Sequence, residues 1–314
     1  LNTLYIVVPC YNEEEVLPET SKRLKAKMDS LIDSGNISKN SKVMFVNDGS
    51  KDRTWELINL LHEADKRFTG VCLSRNRGHQ NALLAGLMTA KNYADMVISM
   101  DADLQDDMDA VDRMVEKFNE GCDIVYGVRS SRETDTFFKR FTAEGFYKLT
   151  SALGGEVVFN HADYRLMSKR ALEALSEYGE VNMFLRGIVP MLGYKTDIVE
   201  YERGERFAGE SKYPLKKMLA FAGDGITSLS SKPMKFISTA GILSLIAAFI
   251  LLVVFIVGAF MGNTIWGWRI LLFAIAFFSG LILLSIGIVG EYIGKIYLET
   301  KQRPRYFISE IIHD

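Results

Sequence analysis

The sequence predicts an α/β domain on a mostly parallel sheet, followed by a helical hairpin long enough to cross a bilayer. Three observations carry this expectation. Strand-like and helix-like segments alternate through the first 130 residues. Polar clusters follow four successive strand segments. Two runs near the C-terminus, residues 237–261 and 270–290, contain no charged side chain.

Each element follows from its pattern. Residues 4–8 form a short apolar run read as strand, and residues 13 to about 32 read as helix. Further on, 42–46 is strand and 52–62 helix, 70–73 strand and 78–91 helix, 96–100 strand and 108–119 helix, and 123–126 strand. Such alternation argues for a sheet covered by helices on both faces. Ligands of these sheets bind at the carboxyl ends of the strands. There the sequence places Asn12-Glu13, Asn47-Asp48-Gly49-Ser50, Arg75-Asn76 and Asp101-Ala102-Asp103. No Gly-x-Gly-x-x-Gly follows the first strand and no Gly-x-x-x-x-Gly-Lys occurs, so the usual dinucleotide and ATP cradles are missing.

A bilayer core of about 30 Å needs about 20 helical residues, so each uncharged run can span. The loop 262–269 is short enough for an antiparallel hairpin, and its Trp266 and Trp268 suit an interface. Arg203, Arg206, Lys212, Lys216, Lys217, Lys232 and Lys235 precede the first run. Lys295, Lys301, Arg303 and Arg305 follow the second, and Arg269 alone lies between. Positive charge marks the cytoplasmic side, so both ends are expected there. The short N-terminal apolar run, followed by Glu13, Glu14 and Glu15, does not resemble a secretory signal. Cys10, Cys72 and Cys122 are odd in number and lack a redox or metal spacing, which fits a reduced compartment. The expected organisation is a cytoplasmic domain at 1–202 and a basic, amphipathic juxtamembrane segment at 203–236. Spans at 237–261 and 270–290 and a cytoplasmic tail at 291–314 complete it. A formal net charge of −2 argues against nucleic acid as partner, and four scattered histidines argue against zinc.

Asp101 and Asp103 end an apolar strand, and strand alternation would put both carboxylates on one side of it. Paired carboxylates suit Mg²⁺ or Mn²⁺, which share coordination with substrate phosphates. Gln105, Asp106, Asp107 and Asp109 read as the start of the next helix, where negative charge is favoured. Asp48 sits where it can accept hydrogen bonds from a base or ribose, or else in a turn capped by Ser50 or Asp52. Tyr11 can pack on a base and Glu13 can bond a ribose, or the pair marks a strand stop and helix start. Arg75 brings positive charge to the same edge, suited to phosphate.

Together these clusters resemble the family-two glycosyltransferases, which have a GT-A, Rossmann-like nucleotide-binding fold. Within that family the chain looks like the polyprenyl-phosphate glycosyltransferases, meaning the bactoprenol glucosyltransferases and dolichyl-phosphate mannose synthases. The carriers are Val8-Pro9-Cys10-Tyr11-Asn12-Glu13-Glu14, Val46-Asn47-Asp48-Gly49-Ser50, Leu73-Ser74-Arg75-Asn76-Arg77-Gly78 and Met100-Asp101-Ala102-Asp103-Leu104-Gln105-Asp106. Asp163-Tyr164-Arg165-Leu166-Met167, Phe184-Leu185-Arg186-Gly187 and Arg206-Phe207-Ala208-Gly209-Glu210-Ser211-Lys212-Tyr213 extend the likeness toward the C-terminus.

The resemblance implies a transferase that takes a nucleotide-sugar donor and a polyprenyl phosphate acceptor at the bilayer. Pro9, Tyr11, Glu13, Asp48, Arg75, Asp101 and Ala102 would line the nucleotide site. Asp103, with Asp101, would hold Mg²⁺ or Mn²⁺. Asp103, Asp163 and Arg75 would serve transfer, with Asp163 near the acceptor as a positioning group rather than a base, or else paired with Arg165 or capping. The stretch before Arg165 departs from the family's usual Gly-Asp-Phe but keeps the Asp. Arg206, Ser211, Lys212 and Tyr213 would form a basic rim for the lipid phosphate, or attract anionic lipid generally. The aromatic stretch 137–153, with Phe137, Phe138, Phe141 and Tyr147, reads as a core helix or an interfacial one. UDP-glucose is the first donor expectation, with UDP-N-acetylglucosamine and GDP-mannose as rivals, and homo-oligomers through the membrane helices are expected. A processive synthase would carry Gln-x-x-Arg-Trp, which Phe184-Leu185-Arg186-Gly187 lacks. A non-catalytic membrane scaffold is the reading from another class.

Overall fold

The structure, a computed structural model, describes residues 1–130, 161–181, 184–202, 204, 232–260 and 267–313. The elements in chain order are β1 (Leu4–Cys10), α1 (Leu17–Asp33), β2 (Lys42–Asn47), α2 (Thr54–Ala64), β3 (Phe68–Leu73), α3 (His79–Ala90), β4 (Met96–Ser99), α4 (Ala110–Asn119) and β5 (Ile124–Arg129). There follow β6 (His161–Ser168), α5 (Lys169–Ser176), α6 (Leu185–Met191), β7 (Thr196–Tyr201), α7 (Lys232–Phe260), α8 (Gly267–Thr300) and β8 (Ile308–Ile312).

Eight strands form one sheet in the order β7-β5-β6-β4-β1-β2-β3-β8. β1, β2, β3 and β4 pair in parallel, as do β5 and β7. β6 runs antiparallel to β4 and β5, and β8 antiparallel to β3, so the sheet is mixed. β1 is buried throughout, as a central parallel strand must be when helices cover both faces. Its alternate residues serve two cores. Leu4, Ile6 and Val8 pack with α1, α2 and α4, while Tyr5 and Val7 pack with α3, α5 and α6. α3 lies close on the sheet because Gly86 lets it: a Cβ there would come within 2.4 Å of Val7 Cγ1 and 2.6 Å of Val46 Cγ2. Ser168 caps α5 by accepting a hydrogen bond from the Ala171 N–H at 3.1 Å.

The chain builds β1, β2 and β3 outward, then returns to place β4 on the other side of β1. That reversal opens a crevice at the carboxyl ends of β1 and β4, where such sheets bind ligands.

Residues 237–260 of the first uncharged run lie within the 29-residue α7, and the second run, 270–290, lies within the 34-residue α8. Among the described residues a single stretch, Phe277–Thr300, is long and apolar enough to cross a membrane by length and composition, so the expected two-span hairpin is not confirmed. α8 also runs ten residues past the expected end of the second span, consistent with Glu291, Lys295 and Glu299 at four-residue spacing. Beyond it the expected tail returns to the sheet as β8, with Gly70 opposite Ile312 and Cys72 opposite Glu310. The rim residues Arg206, Ser211, Lys212 and Tyr213, and the aromatic stretch 137–153, lie outside the described residues.

Candidate active site

The loops after β1 and β2 interlock through their own polar groups. The Asn12 N–H donates to Ser50 Oγ at 3.0 Å, and the Lys51 N–H donates to Asn12 Oδ1 at 2.9 Å. The Glu13 N–H donates to Thr54 Oγ1 at 2.9 Å, and the Arg53 N–H donates to Glu14 Oε2 at 3.0 Å. Pro9 is buried within β1, and Tyr11 and Glu13 emerge half-buried just past it.

Asp48 ties in the third loop. Its two carboxylate oxygens accept from the backbone N–H groups of Arg77 (2.6 Å) and Gly78 (2.9 Å), and it is 3% exposed. Burial raises its pKa against the pull of those amides. Asp48 thus holds the Arg75–Gly78 loop against the loop after β2. Arg75 stands exposed on that loop. Its backbone lies against Gly49, where a Cβ would fall 2.5 Å from Asn76 N and 2.6 Å from the Arg75 carbonyl carbon, at a φ of +62°. Gly49→Ala should therefore destabilise the fold by about 1–3 kcal/mol from backbone strain alone. It should also weaken donor binding by displacing Arg75, read from a denaturant midpoint and the donor KM together.

The fourth cluster corrects an expectation. β4 ends at Ser99, so strand alternation does not place Asp101 and Asp103. A turn does. Thr20 Oγ1 donates to the Ala102 carbonyl at 2.9 Å, the Gln105 N–H donates to Asp103 Oδ1 at 3.2 Å, and Leu104 takes a φ of +59°. Asp106 does not begin the helix. It is buried and accepts from Tyr201 Oη at 2.7 Å, and burial, then the charge of Asp101, push its pKa up to about 7. Among the described residues no three His, Cys, Asp or Glu side chains group as a complete metal site. The chemistry of the two carboxylates on this turn fits Mg²⁺ or Mn²⁺, ions that take oxygen ligands and commonly keep water or phosphate in their remaining positions.

Asp163, on β6 beside β4, is a buried carboxylate with several cationic partners. Arg165 Nη2 donates to its Oδ1 at 2.8 Å and Arg186 Nη2 to its Oδ2 at 2.9 Å, with Gln80 Nε2 at 3.4 Å. Burial alone would raise its pKa, but Arg186, His79 and Arg165 outweigh burial and hold it well below the usual carboxylate range. His79 Nε2 lies 3.7 Å from Asp163 Oδ2 and 3.6 Å from Asp101 Oδ1. Burial opposes its charge, yet the bond to Asp163 and the charges of Asp101 and Asp163 push its pKa up to about 9.

The structure thus gathers Pro9, Tyr11, Glu13, Asp48, Arg75, Asp101, Ala102 and Asp103 along one sheet edge, with Asp163 joined to them through His79. The sequence reading assigned no role to His79, Gln80 or Arg186. The signal was present, since His79 and Gln80 belong to the Arg75 cluster and Arg186 to Phe184-Leu185-Arg186-Gly187.

Comparison with known proteins agrees with this geometry. Residues 5–176 match the model for glycosyl transferase family 2. The uncharacterized glycosyltransferase YkoT of Bacillus subtilis (strain 168) is 55% identical over 98% of this chain and 91% of its own length. The bactoprenol glucosyl transferase of Shigella phage SfX is 40% identical over 97% of this chain and 98% of its own. The prophage bactoprenol glucosyl transferase homolog of Escherichia coli (strain K12) is 39% identical over 98% of both. The chain belongs to the family-two glycosyltransferases and is a transferase enzyme.

Proposed function

We propose that the chain transfers a hexose, with inversion, from a nucleotide-sugar to a polyprenyl phosphate at the cytoplasmic face of a membrane. UDP-glucose is the favoured donor and undecaprenyl phosphate the favoured acceptor, and the product would supply cell-envelope glycosylation. One observation carries the reading: His79 stands between Asp101 and Asp163, so the residue proposed for the donor's diphosphate and the one proposed for the acceptor share one imidazole. The bactoprenol glucosyl transferases at 39–40% identity over nearly the whole chain supply the acceptor class.

Asp103, with Asp101, would hold Mg²⁺ or Mn²⁺, which supplies charge neutralisation of the departing nucleoside diphosphate. Arg75 would contact the donor phosphates from its exposed position on the loop after β3. The lipid phosphate needs no strong base, because its second pKa is about 6. Asp163 makes a poor base in any case, with its pKa held far below neutrality. It would instead orient Arg186 and His79 around the acceptor and face the positive charge developing at the anomeric carbon. One in-line attack by a phosphate oxygen breaks the bond to the diphosphate and inverts that carbon. Phe277–Thr300, with α7 as a second span, would anchor the site at the bilayer with both termini cytoplasmic. Arg206, Ser211, Lys212 and Tyr213 would meet the lipid phosphate there.

The test is a donor screen. The full chain in detergent is given undecaprenyl phosphate, Mg²⁺ or Mn²⁺, and radiolabelled UDP-glucose, UDP-N-acetylglucosamine or GDP-mannose in turn. Label should pass to the lipid with UDP-glucose. Label on none of the lipids would remove the reading, and transfer from GDP-mannose would move the donor assignment.

A further inference from the structure

The C-terminal end of α8 does not simply leave the sheet. Glu299, in its last turn, accepts a hydrogen bond on Oε2 from the Val181 N–H at 2.8 Å. Six residues on, Arg305 Nη2 donates to the Tyr178 carbonyl. Glu180 lies between them, and burial followed by the nearby Glu299 charge raises its pKa while Arg305 opposes the rise. β8 then clamps the segment to the sheet: the Ser74 N–H donates to the Phe307 carbonyl at 2.9 Å, and Tyr5 Oη lies 2.9 Å from His313 Nε2. The His313 ring also stacks on Tyr93 with centroids 4.0 Å apart.

The loop that Glu299 and Arg305 grip leads directly into the acceptor end of the active site. It continues to Phe184 and α6, where the Leu185 N–H donates to Gln80 Oε1 at 3.1 Å and Arg186 pairs with Asp163. Gln80 in turn donates to Asp163, and Arg165 Nη1 donates to the Leu185 carbonyl at 3.4 Å. Glu299 bonds the chain at Val181, and three residues on Phe184 opens the segment whose Leu185 and Arg186 meet Gln80 and Asp163.

We infer that Glu299 and Arg305 are positioning residues for sugar transfer: they fix residues 178–181 and thereby set Arg186 and Gln80 against Asp163. The end of the apolar helix and the acceptor side of the site then move as one body. This rests on the functional reading above only for its kinetic readout. A loosened loop misplaces the acceptor phosphate but leaves the donor cleft at β1, β2 and β3 intact.

The test uses the full chain in detergent with three variants. Glu299→Ala and Arg305→Ala should each lower kcat about tenfold, within the range that small misplacements cost, with the donor KM within about twofold of wild type. Glu299→Gln, which keeps an acceptor oxygen for the Val181 N–H, should stay within about twofold of wild type in both. Amide hydrogen exchange supplies a readout independent of any acceptor. In Glu299→Ala, peptides covering 178–186 should exchange about tenfold faster while those of β1 and β2 keep wild-type protection. Equal losses in the Ala and Gln variants, or unchanged exchange at 178–186, would overturn the inference. If the wild-type chain transfers no sugar to polyprenyl phosphate, the functional reading fails and the exchange comparison still decides this one.

Discussion

Asp163→Asn should cut sugar transfer by about 10²–10³-fold, the scale of losing one fixed electrostatic group in a dry site. The substitution keeps the shape of the side chain and removes only its charge. Arg165, 1% exposed, then has no anion beside it, and Arg186 loses its pair. Leaving a buried charge uncompensated costs about 3–5 kcal/mol, so a lower unfolding midpoint should accompany the loss of activity. Asp163→Glu separates the two effects, because it restores charge but misplaces it: stability should recover more than rate. The pH dependence has a definite sign. The pKa of Asp163 is depressed in the fold, so its contribution to stability is whole above about pH 4, the unfolded value, and fades as pH falls through the lower folded one. Wild type should therefore lose stability in acid more steeply than Asp163→Asn. The rate should follow the acceptor instead, falling below about pH 6 in both proteins as the lipid phosphate gains its second proton. A rate profile that loses its acid limb in Asp163→Asn would make Asp163 the base after all.

Asp103→Asn is expected to reduce transfer by about 10³-fold while the protein stays folded and bound to membranes. The Gln105 N–H donates to Asp103 Oδ1 at 3.2 Å, a bond that an asparagine oxygen can still accept. Keeping that bond should hold its contribution to stability to within about 1 kcal/mol of wild type. On the proposed reading the rate effect would come from the leaving group: without a full carboxylate pair to hold the metal, the diphosphate would depart with its charge poorly balanced. Initial rates over a Mn²⁺ titration check this. The variant should need far more metal for half-maximal rate, and an unchanged metal dependence would remove Asp103 from the assignment.

The parallel half of the sheet was legible because buried strands are written as apolar runs, and each here is followed at once by its polar cluster. Residues 4–8, 42–46 and 70–73 all lie within observed strands for that reason. Asp48 was singled out from its strand-to-turn setting, but a sequence does not show that the Arg77 and Gly78 amides turn back onto it. The Asp101–Asp103 pair was found for a reason that does not hold, because Leu104 at positive φ makes a turn where alternation would need strand. Asp106 was lost among neighbouring acids that do face solvent, and only Tyr201, distant in sequence, shows that it is buried. β8 was missed because five residues after a charged linker carry little periodicity, and its partner β3 lies over 200 residues earlier.

Mn²⁺ binding to the full-length chain, followed by electron paramagnetic resonance with and without nucleoside diphosphate, tests the central claim most directly. Binding by the protein alone should be weak, at least tenfold tighter when the diphosphate is present, and without that gain in Asp103→Asn. Tight binding without nucleotide, or a gain that survives in Asp103→Asn, would contradict it.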